Sequence, residues 1–322
     1  MADAARKVKI LFLGGAKRVS MGEKFLEAGR RLGLEVELFS YDLTPFVPVA
    51  SIATIIEGRR WKDPDLYNHL NQVVTEHGID ILIPFVDGAV EVAARYRDDF
   101  GNVWVPVGTP ESAAAMFDKL LADRLFRNNH LPVPMNREEH GSAPLPLIAK
   151  PRFGSASKGI RVISNETELE DLNVQDYLIQ EYIADRKEIT IDCYRSISGE
   201  VICTVPRYRI ETQGGEASVT RTFSNSEVEA LAARTLETLD LRGAVTIQLL
   251  ERAEPQPGQK RFMLMEINPR LGGGAVCSVH AGACLPEFIL RDSLGMPLEP
   301  CRDWIPGTLI TRYFSEICFK PC

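Results

Sequence analysis

Two short segments in the second half of the chain bring oxygen donors together. In Ala244–Leu250, strand periodicity puts Val245, Ile247 and Leu249 on one face and Thr246 and Gln248 on the other. In Phe262–Asn268 the same alternation gathers Met263, Met265 and Ile267 on an apolar face, with Glu266 and Asn268 opposite. If the two strands pair, Gln248, Glu266 and Asn268 converge as one carboxylate and two amide oxygens. Magnesium takes hard oxygen ligands, few of them from protein, and lets substrate phosphates complete its octahedron. The same three residues also read as the polar outer face of an exposed hairpin. That bland reading is weakened by Pro269-Arg270 and then Gly272-Gly273-Gly274, because a glycine triplet lets a ligand approach the backbone closely.

Lys150 ends the apolar strand 145–150. The loop after it runs Pro151-Arg152-Phe153-Gly154-Ser155-Ala156-Ser157-Lys158-Gly159. Backbone N–H groups with Ser155, Ser157 and flanking lysines can wrap phosphates, although a surface hairpin fits the same residues and no Walker A spacing is present. Lys119 reads equally as an exposed helix lysine. The segment Ile179–Ile183, with Glu181 and Ile183 at its end, offers a strand edge to a purine ring. Glu188 could accept two ribose hydroxyls, or simply open a strand. Asp87, beyond a strand's carboxyl end, could take a substrate ammonium or cap a helix. Arg207 and Arg270 could grip a carboxylate with two-pronged contacts, while Arg207 also reads as a surface strand residue.

The elements that must position these residues change character along the chain. Strands are expected at Val8–Leu13, Glu35–Ser40, Ile79–Pro84 and Val103–Val107, with helices at Ser20–Leu32, Val90–Tyr96 and Pro110–Asn129. This alternation predicts a doubly wound parallel sheet. From Leu145 the strands become neighbours, at 145–150, 160–163, 178–181, 189–195, 200–205, 244–250 and 261–267, which predicts antiparallel α+β structure. Gly14-Gly15-Ala16-Lys17-Arg18 lacks the third glycine of a dinucleotide fingerprint, and Asp42 reads better as a strand-end turn residue than as a ribose ligand.

Composition excludes several functions. With 37 Lys and Arg against 44 Asp and Glu, the net charge is −7 and no basic face suggests nucleic acid. The seven cysteines follow no zinc or CxxC spacing, so reduced thiols in a cytoplasmic protein are expected. No apolar run approaches the ~18 residues of a membrane helix, and no signal peptide is evident.

In order along the chain, Asp118-Lys119, Leu131-Pro-Val-Pro134, Lys150 with its loop, Gln180-Glu181-Tyr182-Ile183, Glu188, Gln248 and Glu266-Ile-Asn268-Pro-Arg270 resemble the ATP-grasp superfamily. The likeness is to the carbamoyl-phosphate synthase large subunit and related carboxylate–amine ligases, and it spans roughly 116–295. It implies an N-terminal α/β domain over 1–110, a small ATP-grasp subdomain over 111–182 and a C-terminal subdomain carrying the metal site over 183–322. It also implies ATP and Mg2+ (or Mn2+) as cofactors. Lys119, Lys150 and the Ser155/Ser157 loop would contact phosphates, Glu181 and Ile183 the adenine, and Glu188 the ribose. Gln248, Glu266 and Asn268 would hold metal, and Arg270 would stabilise the transferred phosphoryl group. The implied activity is an ADP-forming ligase joining a small carboxylate to an amine. Carbamoyl-phosphate-synthase-like phosphorylation of bicarbonate or carbamate is the alternative, although this chain has one such half where that enzyme has two, which counts against the complete reaction. A non-catalytic ATP-binding regulator is a third reading. Small molecules are the expected partners, with room for a homodimer.

Overall fold

The structure is a computed structural model describing residues 5–137, 145–154 and 158–319. Its first sheet is parallel, in the order β3-β2-β1-β4, from β1 (Arg6–Leu13), β2 (Leu34–Asp42), β3 (Thr54–Glu57) and β4 (Ile81–Pro84). Both faces of β1 are buried. Val8, Ile10 and Phe12 pack toward α1 (Val19–Arg31), whereas Leu11 and Leu13 pack toward α2 (Leu66–His77) and α3 (Asp87–Tyr96). A strand covered on both faces reads as a continuous apolar run, which is why β1 was legible.

Two expectations for this region need correction. Residues 103–107 form no strand: one bridge joins Trp104 to Ile81, and Pro106, with no N–H to give, stops the ladder. The single helix expected over 110–129 is two, α4 (Pro110–Phe117) and α5 (Lys119–Asn128). Asp118 between them is extended, and its carboxylate accepts the N–H groups of Leu120 and Leu121, so it caps the second helix. Asp42 accepts the Ala16 N–H and the Ser40 hydroxyl, the expected strand-end turn.

The second sheet is antiparallel, β6-β5-β7, from β5 (Leu147–Pro151), β6 (Arg161–Ile163) and β7 (Tyr177–Glu181), with α6 (Glu166–Glu170) between the last two. The third, also antiparallel, has the order β12-β11-β8-β9-β10-β13. Its strands are β8 (Arg186–Arg195), β9 (Val201–Gln213), β10 (Glu216–Thr222), β11 (Gly243–Arg252), β12 (Phe262–Asn268) and β13 (Leu309–Thr311). Helix α7 (Ser226–Thr238) covers one face with Val228, Ala232 and Leu236 against Ile191, Ile247 and Leu264. Next come α8 (Val276–His280) and α9 (Leu285–Ser293). Phe12 and Phe25 share one core with Tyr194, Val205, Leu271 and Ile289, so the first and third sheets are packed together. No described helix is long and apolar enough to cross a membrane.

Gly243 marks that junction. Its φ is +74°, and a Cβ placed there would run into the Pro106 carbonyl. Gly214 also has positive φ, +59°, but a Cβ there meets open space. Gly243→Ala should cost about 2 kcal/mol or more, and Gly214→Ala about 1 kcal/mol. Midpoints of urea unfolding check this; equal losses at both positions would remove the steric argument.

Candidate active site

Strands β11 and β12 pair as their alternation requires, with Thr246 opposite Asn268, Ile247 opposite Ile267 and Gln248 opposite Glu266. One step on, Leu249 faces Leu264, so Met265 has no partner and forms a β-bulge. The bulge corrects the apolar face expected for β12. Ile267 and Leu264 point into the core under α7, while Met263 and Met265 join Ile183 and Leu250 in a separate apolar cluster. Ile183, Leu250 and Met265 line a cleft of about 490 Å³, as do Gln248, Glu266 and Asn268.

Two of the three expected metal ligands are linked to each other, and the third is held separately. Asn268 donates through Nδ2 to Glu266 Oε1 at 2.8 Å, and its Oδ1 accepts from Arg270 Nη2 at 3.1 Å. Gln248 Oε1 accepts from Arg209 at 3.3 Å. Each amide oxygen keeps a second lone pair. Among the described residues no cluster of three His, Cys, Asp or Glu could cage a metal alone. One carboxylate with two amide oxygens suits Mg2+ that takes its other ligands from phosphate and water.

Lys150 faces this ladder across the cleft. It is 6% exposed, and its Nζ donates to Gln180 Oε1 at 2.9 Å. Gln180 in turn donates to Asp123 at 2.7 Å. Burial pulls the Lys150 ammonium down from 10.5 to about 8, against the pull of the Asp123 and Glu266 carboxylates. Lys119 opens α5, and its Nζ donates to the Gly154 carbonyl at 2.7 Å, at the start of the loop after β5. Ser155 and Ser157 lie outside the described residues. Both Glu181 carboxylate oxygens are engaged, one by the Met135 N–H and one by Arg252, and the Glu181 N–H donates to the Met135 carbonyl. The Ile183 side chain is buried on the apolar cluster, and Glu188 lies 3.6 Å from Arg209.

The other end of the cleft is rich in arginine. Arg270 reaches across to Asp87, in the helix that follows β4 of the first sheet, Nε to Oδ1 at 2.9 Å. Asp87 sits in the first turn of α3, where Val86 is the cap residue and makes no side-chain cap bond; Asp87 spends its carboxylate on Arg270. Arg207 is buried rather than a surface residue, held by both oxygens of Asp192. Arg18, Arg209 and Glu216 also line the cleft, and none of these was singled out from sequence. Arg209 continues the period-two pattern from Val205 and Arg207, a signal lost by ending that strand at 205. Its Nε is buried with no acceptor among the described residues. Arg18 comes after the carboxyl end of β1, where open α/β sheets bind ligands.

Known proteins resemble this chain in sequence and in fold. The model of a family described as ATP-grasp in the biosynthetic pathway with Ter operon matches residues 173–313. The N-terminal section of carbamoyl phosphate synthase large chain from Methanopyrus kandleri is 22% identical over 253 residues, covering 73% of this chain and 42% of that one. D-alanine–D-alanine ligase from Petrotoga mobilis is 38% identical over 92 residues, 26% of this chain and 30% of that one. The chain thus spans less than half of either relative. Among solved structures, the biotin carboxylase domain of Hydrogenobacter thermophilus 2-oxoglutarate carboxylase, in complex with MgADP, ADP and bicarbonate, superposes with a TM-score of 0.73. It is 16% identical, and the match covers 93% of this chain and 72% of that one.

The lowered Lys150 has a consequence for stability. Between pH about 8 and 10.5 the folded chain holds fewer protons on this group than the unfolded chain, so raising pH across that window favours folding. Below about 8 the full burial penalty is present. Relative to Lys150→Met, the wild type should therefore gain up to about 3 kcal/mol across the window. Urea unfolding of both proteins at several pH values measures the difference; a flat difference would mean that Lys150 titrates as an ordinary surface lysine.

Proposed function

We propose that the chain is an ATP-grasp protein and an ADP-forming ligase, activating a small carboxylate as an acyl phosphate and joining it to an amine. The observation that carries this reading is the facing of Lys150 and the Gln248/Glu266/Asn268 ladder across one cleft, with Arg270 at the ladder's end. We also propose the working division 1–110, 111–182 and 183–322, one sheet to each part.

In this reading the adenine lies against Ile183, Leu250 and Met265, with the main chain at Glu181 to Ile183 along its edge and Glu188 toward the ribose. Lys119 and Lys150 bind phosphate oxygens. Gln248, Glu266 and Asn268 hold Mg2+, which supplies neutralisation of phosphate charge. A substrate carboxylate oxygen attacks the γ-phosphorus, the bond from that phosphorus to the ADP oxygen breaks, and an acyl phosphate forms. An amine then attacks the acyl carbon, loses a proton and expels inorganic phosphate. The chain's work in the first step is positioning and charge stabilisation. Arg270, fixed by Asp87 and Asn268, meets the growing charge with little reorganisation. No side-chain nucleophile is needed.

A panel of amino acids and small carboxylates, screened for acid-dependent ADP release, identifies the acid. With the substrate carboxylate labelled by heavy oxygen, the acyl phosphate route must deliver one labelled oxygen to inorganic phosphate. Labelled AMP would mean adenylation, and ADP release driven by bicarbonate without any acid would favour the carbamoyl-phosphate-synthase-like reading. ATP binding without acid-dependent ADP release would leave the regulator reading. Glu266→Gln keeps the shape and removes the only charged ligand of the set; turnover should fall at least ~100-fold with the thermal midpoint retained. Wild-type turnover by this variant under limiting magnesium would refute the metal assignment.

A further inference from the structure

Beyond Arg270 the cleft ends at an ion-pair arrangement that the proposed chemistry does not use. The Arg18 guanidinium is largely buried, 5.9 Å from the Phe85 ring, and donates to Glu216 Oε1 at 3.1 Å. The other oxygen of the same carboxylate accepts from Arg312, just after β13, at 2.7 Å. One carboxylate therefore serves two guanidiniums. The neighbouring cations are already matched, Arg207 by Asp192 and Arg270 by Asp87. This end of the cleft thus carries one positive charge more than its pairings neutralise. Burial raises the Glu216 carboxyl, but Arg18 and Arg312 outweigh that and hold it below its ordinary value, so Glu216 is charged.

The carboxylate is placed where it can be exchanged. Glu216 opens β10 directly after Gly214 and Gly215, both at positive φ, and its side chain is 41% exposed. Beneath it the floor is bare backbone. A Cβ on Gly273 would lie 2.5 Å from the Glu216 carboxylate, and one on Gly274 would lie 2.8 Å from the Arg207 guanidinium. We propose that Glu216 is a placeholder: the acid substrate bears a second carboxylate, remote from the one that reacts, and this group replaces Glu216 between Arg18 and Arg312. The word substrate here rests on the ligase reading; the carboxylate site itself rests on the pairings. A purely structural role would make the same three residues a latch between the first sheet and the β9–β10 hairpin. The two roles differ in what removing the Glu216 charge does.

The test is titration calorimetry with succinate, glutarate and adipate, each against its mono-amide, in magnesium and a non-hydrolysable ATP analogue. At least one diacid should bind wild type ~10-fold or more tighter than its mono-amide, the worth of a charge-assisted hydrogen-bond pair. Arg18→Gln should erase that preference, and Arg18→Lys should restore part of it. Glu216→Gln removes the internal competitor without changing shape, so the diacid should bind several-fold tighter while affinity for the ATP analogue stays unchanged. Diacid and mono-amide binding alike in every pair, or a weaker diacid in Glu216→Gln, would overturn the proposal. Failure of the ligase reading would look different: the diacid would bind without stimulating ADP release. Acid-dependent ADP release blind to the second carboxylate would sink this inference alone.

Discussion

The site depends on one extra residue in a strand. Residues directly opposite in an antiparallel pair share a face, and Leu249 and Leu264 share the core face. Continued without interruption, that register would set Glu266 opposite Ile247 and drive its carboxylate under α7. A charge in that position, with no partner, costs several kcal/mol. The bulge at Met265 slips the ladder by one, returning Ile267 to the core and Glu266 to the cleft. The remaining contacts build outward in turn: Glu266 orients Asn268, Asn268 and Asp87 hold Arg270, and Asp87 begins the helix after β4 of the first sheet. A local departure from strand periodicity thereby fixes how Arg270, just past β12, is aimed by Asp87, just past β4.

The cleft cations are held before any ligand arrives. Lys119 is tied to a loop carbonyl, Lys150 to an amide, Arg207 to Asp192 and Arg270 to Asp87. Side chains fixed in this way lose little freedom on binding an anion, which is how a preorganised electrostatic site gains over a flexible one. The whole chain carries −7, yet this cleft gathers arginine and lysine from the second and third sheets and from segments beside all three. Composition alone therefore speaks to nonspecific partners and is silent about the site, where geometry concentrates the minority charge.

The same physics governs which elements were legible in the sequence. Buried parallel strands such as β1 announce themselves as apolar runs, and the pairing of β11 with β12 could be read from alternation. Met265 hid the bulge because it is apolar, so a two-residue period passed through it unnoticed. Asp118 hid a helix break because the sequence on both sides is helical, and only its carboxylate, capping α5, divides them. Strand β10 and the far half of β9 were missed because their Arg, Glu and Thr residues look solvent-exposed in sequence; they line the cleft or the edge near it. Arg18 lay beyond sequence reasoning for another reason. Its significance comes from Glu216, 198 positions away, and no local pattern carries a contact of that span.

Lys150 shows what the fold gives up for function. A buried ammonium is most cheaply stabilised by a carboxylate in direct contact. Here Gln180 stands between Lys150 and Asp123, and Asp123 is engaged by Arg127 and Asn136 instead. The neutral amide satisfies one donor without cancelling the charge. The ammonium's charge therefore stays uncancelled on the cleft side, and burial holds its pKa below the ordinary lysine value. A lysine serving the fold alone would gain from the direct pair. One held off its carboxylate by an amide is suited to an anion that comes and goes. In the proposed reading, a phosphate oxygen entering the cleft would relieve this burial penalty, so part of a nucleotide's binding energy would come from a cost the fold already carries.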